Sequence, residues 1–130
     1  YLHDETQLVD FLKNARSLLK ENGSILIVPD ITKDEFFESI VSGDAQNDQR
    51  HVFLTEWRYM PEPDKSYFEV AFSLLIKEND TVSPYFETHK MGCFSMSEWM
   101  AIFKRAKLIF SPIDIFMFDL PRQVFLLKKQ

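Results

Sequence analysis

The side chains able to do chemistry are few and scattered, and their spacing excludes several reaction types at once. His3, His51 and His89 stand far apart and Cys93 is the lone cysteine, so no metal-ligand constellation and no cysteine zinc site can be read from them. No Gly-x-Ser-x-Gly or cysteine nucleophile signature is present, and Gly23, Gly43 and Gly92 never form the Gly-x-Gly loop that cradles a nucleotide. What remains are groups that move a proton, hold a cation or pair with an anion. His3 and Asp30 are proton acceptors, as is His89 within Glu87-x-His89. Trp57 and Tyr59 offer aromatic faces to a cation, and Arg122 a guanidinium to a phosphate. Each also has an ordinary role open to it. His3 precedes a helix cap and Asp30 follows Pro29 at a strand end, where it can cap the next turn. Trp57 and Tyr59 suit a core or a subunit contact, and Arg122 a surface turn.

The elements that must position these groups follow from periodicity. Leu8, Phe11, Leu12, Ala15, Leu18 and Leu19 recur at three- and four-residue steps, which predicts an amphipathic helix capped by Asp4, with Gln7 in capping-box position, and ended by a left-handed Gly23. Ser24 to Val28 is apolar without alternation, as expected of a parallel strand covered on both faces, and Pro29 stops it. Thr32-Lys33-Asp34-Glu35 reads as a second capping box, opening a short helix with Phe36, Phe37, Ile40 and Val41 on one side; Ser42 to Arg50 reads as a loop. From His51 the period becomes two. His51 to Tyr59, Tyr67 to Lys77 and Val82 to Met91 are predicted as three antiparallel strands, with Pro84 forcing an edge. Ser95 and Glu98 form a third capping box, with Phe94 and Trp99 as its staple, for a helix carrying Met96, Trp99, Met100, Phe103 and Ala106 inward. Leu108 to Phe118 and Gln123 to Lys128 are two last strands around a turn at Asp119 to Arg122.

With 130 residues, 45% of them apolar and 13 of them Phe, the chain can bury a core of its own. Its net charge of −5, without a run of Lys or Arg, argues against nucleic-acid binding. No apolar run approaches a membrane span, and one cysteine is compatible with a reducing cytoplasm.

Tyr-Leu-His-Asp-Glu at Tyr1 to Glu5, the helix end Leu18 to Gly23 and the strand Ile25 to Asp30 resemble the later half of class I S-adenosylmethionine-dependent methyltransferases. Glu87-Thr88-His89-Lys90-Met91-Gly92, Phe94-Ser95-x-x-Glu98 and Phe103 to Leu108 narrow the likeness to small-molecule N-methyltransferases that act on nucleotide-linked amino sugars. Glu21-Asn22-Gly23 stands where Pro-Gly-Gly is usual, and Lys107 where the family has glycine. The resemblance implies an α/β fold: the C-terminal part of a Rossmann-like sheet in a single domain, with an antiparallel meander inserted at 51–92 and a final antiparallel strand pair. It implies S-adenosylmethionine as cofactor, bound by residues expected upstream of Tyr1. It makes Tyr1 a positioning hydroxyl and His3 a base, with Pro29, Asp30, Trp57, Tyr59, His89 and Arg122 around a small-molecule amine acceptor. A homodimer through the insertion is a further implication. The competing reading is a non-catalytic α+β binding or assembly module.

Overall fold

The computed structural model describes residues 2–117 and 120–130, with residues 112, 114–117 and 120–123 described by their backbone alone. The elements in chain order are α1 (Glu5–Leu18), β1 (Ser24–Ile27), β2 (Ser39–Gln46), β3 (Arg50–Tyr59), β4 (Tyr67–Glu78), β5 (Thr81–Gly92), α2 (Met96–Arg105), β6 (Leu108–Met117) and β7 (Leu120–Lys129). They form two compact units: one runs from Phe37 to Gly92, and the other joins Leu2–Phe36 to Cys93–Gln130.

The second of these units has a three-stranded antiparallel sheet in the order β1-β7-β6, with α1 and α2 on one face. Its core gathers Leu8, Val9 and Leu12 from α1, Trp99, Ile102 and Phe103 from α2, and Phe125 and Leu127 from β7. The Phe103 and Phe125 rings meet edge-on at 5.4 Å, the geometry an aromatic quadrupole favours. Asp4 caps α1, accepting a 2.9 Å bond from the Gln7 N–H. Both bonds of the α2 capping box form: the Glu98 N–H donates to Ser95 Oγ and the Ser95 N–H to Glu98 Oε2. The Phe94 and Trp99 rings meet at 5.3 Å as its staple.

Several expectations are corrected here. α1 stops at Leu18, with Leu19 as its cap, and Gly23 does not take a left-handed backbone. The position is tight for another reason: a Cβ would lie 3.2 Å from the Leu19 side chain and from the Lys20 nitrogen, so those neighbours would have to give by a few tenths of an ångström. Val9 is on the buried stripe of α1, whereas Phe11 and Leu18 are exposed. β1 pairs antiparallel with β7, and it alternates, Ile25 and Ile27 packing on the core while Leu26 is exposed. Its apolar character on both faces therefore exceeds what the described residues cover. β7 begins at Leu120, so Arg122, expected in a turn, is in a strand opposite Ile115.

The unit Phe37–Gly92 is an antiparallel sheet in the order β2-β3-β4-β5. The helix expected after Thr32 is one turn only, in which Thr32 Oγ1 donates to Glu35 Oε2 and the Glu35 N–H to the Thr32 carbonyl. Ile40 and Val41 belong instead to β2, which continues through the expected loop and pairs with β3 from Ser39↔Arg58 to Gln46↔His51. The ladder with a long neighbouring strand outweighs the weak local preferences of Ser42 to Gln46, so the meander has four strands. The three strands read from the period-two pattern are β3, β4 and β5, and Pro84 is on the edge strand β5.

Candidate functional site

In the three-stranded unit, the register pairs Ile27 at the tip of β1 with Phe125 of β7. Pro29 and Asp30 leave β1 at the sheet end to which Arg122 belongs, so these three positions share one end of the sheet by backbone register. Pro29 is half-buried and Asp30 exposed. His3 is exposed just ahead of the Asp4 cap. Tyr1 and the Arg122 side chain lie outside the described residues.

The four-stranded unit separates the other three candidates. Trp57 pairs with Ala71 and Tyr59 with Glu69 of β4, which pair in turn with Thr88 and Lys90 of β5, whereas His89 pairs with Val70, the partner of Arg58. Because strand side chains alternate, Trp57 and Tyr59 are on one face and His89 on the other. The His89 face is the more buried of the two, with Phe68 and Val70 beside it at 2% and 5% exposure. His89 Nε2 is 3.0 Å from Glu87 Oε1, and its ring stands edge-on to Phe72 at 5.3 Å. A carboxylate so placed orients the imidazole ring.

The opposite face carries an aromatic and carboxylate array. Trp57 Nε1 donates to Glu38 Oε1 at 2.9 Å, and the Tyr59 hydroxyl donates to Glu69 Oε2 at 2.6 Å. The Trp57 and Tyr59 rings are 6.0 Å apart, edge-on. Tyr67 donates to Glu62 Oε1 at 2.5 Å, and Lys90 Nζ sits 3.6 Å over the Tyr67 ring. The bond to Glu69 raises the Tyr59 phenol above its ordinary pKa, and the bond to Glu62 pushes Tyr67 up to about 12. Both phenols are thereby fixed as donors to carboxylates. Sequence reasoning missed Glu38 because that stretch resembled a helix, and missed Glu69 although the two-residue alternation puts it directly across from Tyr59.

Among the described residues no group of three His, Cys, Asp or Glu side chains is placed to hold a metal. None of the glycines builds a nucleotide cradle: Gly23 is in the turn before β1, Gly43 within β2 and Gly92 at the end of β5. A polar depression of about 480 Å³ at the strand tips is lined by Asn47, Gln49, Arg50, Glu78 and Asn79. Its charged pair, Arg50 and Glu78, is self-satisfied.

No protein-family model and no curated protein matches the sequence. The fold, in contrast, matches solved structures over its whole length. It is similar to CalS10, an amino pentose methyltransferase from Micromonospora echinaspora solved with SAM bound, at a TM-score of 0.83 and 12% identity, covering 99% of this chain and 53% of that one. DesVI of Streptomyces venezuelae matches at a TM-score of 0.82 and 15% identity, over 100% and 54%. KedS8, a sugar N-methyltransferase from Streptoalloteichus sp ATCC 53650, matches at 0.80 and 15%, over 98% and 50%. The chain spans about half the length of these proteins and has the fold of their C-terminal portion, that of class I methyltransferases.

Proposed function

We propose that this chain is the acceptor-binding part of an S-adenosylmethionine-dependent methyltransferase acting on the amino group of a small molecule, an amino sugar by its likeness to the amino pentose and sugar N-methyltransferases. The supporting observation is a match over 98–100% of the chain to those two proteins and DesVI. S-adenosylmethionine supplies an electrophilic methyl group when bound, and none of the described residues fits it as a binding loop. The tasks of this chain are then to orient the amine, exclude water and accept the proton it sheds.

His3 is the base and Tyr1 the positioning hydroxyl. Pro29, Asp30 and Arg122, at one end of the three-stranded sheet, bind the acceptor, with Arg122 assigned to an acidic group such as a phosphate. Within the four-stranded unit, His89 on one face and Trp57 and Tyr59 on the other are the candidate acceptor contacts, and the greater burial of the His89 face favours His89. The lone cysteine suits the cytoplasm as the compartment.

The test uses the complete polypeptide that carries these residues. His3→Gln is expected to lower kcat by about 10²-fold or more, with partial recovery at alkaline pH, where solvent deprotonates the amine. His89→Gln is expected to raise KM for the acceptor more than Trp57→Ala does. Unchanged kcat in His3→Gln removes the base. A larger acceptor KM in Trp57→Ala assigns the acceptor contact to the Trp57 face instead.

A further inference from the structure

Pro29 and Asp30 belong to a short bridge that is fixed at both ends. On one side Ile27 is locked to Phe125 by the ladder between β1 and β7. On the other, Thr32 is 1% exposed and closes a turn on Glu35. Val28 to Ile31 is all that separates these two points, and Pro29 removes torsional freedom from itself and from Val28.

Two hydrogen bonds of opposite direction tie this turn to the start of α2. The Lys33 N–H donates to the Phe94 carbonyl at 3.1 Å, and the Met96 N–H donates to Asp34 Oδ2 at 2.7 Å. Met96 is the first residue of α2, so its N–H has no partner within the helix. A carboxylate there meets both that donor and the positive end of the helix dipole, and a charge-assisted bond of this kind is stronger than a neutral one. The box of Ser95 and Glu98 closes without Met96, so the cap of α2 is already made. What Asp34 adds is a link from the loop to a helix seated in the core through Trp99, Ile102 and Phe103. Cys93 stands beside this link, fully buried and within reach of the charges of Lys33 and Asp34.

We propose that Asp34 is a positioning residue of the acceptor site. Through Met96 it holds the segment 29–34, and with it Pro29 and Asp30, at the sheet end that the Arg122 position shares. The proposal rests on the reading of that end as the acceptor site, and one of its two readouts involves no reaction. In the complete polypeptide, Asp34→Ala is expected to raise the acceptor KM about 10-fold and to leave the cofactor Kd unchanged. Asp34→Asn keeps an oxygen for the Met96 N–H and is expected to recover to within about 3-fold of the parent. Ser95→Ala is the control: it removes a bond from the same helix end without touching the loop, and its acceptor KM should match the parent's. The second readout is thiol labelling of Cys93, expected to be about 10-fold faster in folded Asp34→Ala than in Ser95→Ala, because only the former frees the loop beside it. An acceptor KM unchanged in Asp34→Ala, or raised as much in Ser95→Ala, overturns the positioning role while methyl transfer stands. A parent that binds no cofactor and transfers no methyl group overturns the functional reading instead. Labelling no faster in Asp34→Ala than in Ser95→Ala overturns the link itself, whatever the chemistry.

Discussion

Replacing Lys107 with glycine is expected to stabilise the protein. Lys107 has φ 55°, a left-handed backbone at the point where α2 gives way to β6. The conformation is held on both sides: the Lys107 N–H donates to the Lys104 carbonyl, and the Gln130 N–H donates to the Lys107 carbonyl at 3.3 Å. An L-residue loses about 1–2 kcal/mol in this region, because its Cβ crowds the following carbonyl. Glycine escapes that cost but gives up about 0.5–1 kcal/mol of backbone entropy on folding. The net gain is therefore about 0.5–1 kcal/mol, or roughly 2–5 °C in Tm for a chain of this size. Lys107 is exposed and enters no ion pair among the described residues, so the loss of its side chain adds little. Thermal unfolding followed by circular dichroism, with Lys107→Ala as control, separates the terms. Alanine keeps the strained backbone and should melt within about 0.5 kcal/mol of the parent. A Lys107→Gly protein that melts at or below the parent refutes the reasoning.

Three further outcomes follow from local geometry. Ser95→Ala and Glu98→Ala should each cost about 1 kcal/mol in chemical denaturation, and the double variant less than their sum, because the two bonds belong to one box. Cys93 is fully buried, and desolvation pushes its thiol from 9.0 to about 11. Since the folded value is raised, the stabilisation is complete below pH 9 and is lost as pH rises toward 11; thiol labelling at pH 8 should be slow in the native protein and fast in denaturant. Asn79 takes φ 52° in the β4–β5 turn, so Asn79→Ala should be destabilised by about 1 kcal/mol in the same assay and Asn79→Gly little changed.

What could be read from the chain depended on how local its determinants were. The α2 cap was legible because Ser95, Glu98, Phe94 and Trp99 act within one turn. The alternation of β3 was legible for the same reason, one strand at a time. β2 was not, because Ser42 to Gln46 are extended by the ladder of β3, a partner that sequence patterning does not name. The antiparallel partner of β1 is β7, nearly the whole chain away, so its apolar run suggested burial on both faces without identifying a neighbour. Among the site residues, the grouping of Pro29 and Asp30 with the Arg122 position emerges only from that pairing. The separation of His89 from Trp57 and Tyr59 rests on the register between β4 and β5, fixed by the two-residue turn at Asn79 and Asp80. Strand patterns taken singly do not carry that relation.

Methyl transfer itself is tested most directly by incubating the complete polypeptide with S-adenosylmethionine labelled in its methyl group and a panel of amine acceptors that includes nucleotide-linked amino sugars. Label recovered on the acceptor nitrogen, with an equal amount of S-adenosylhomocysteine released, is the expected result. A folded protein that neither binds the labelled cofactor nor passes its methyl group to any amine contradicts the assignment.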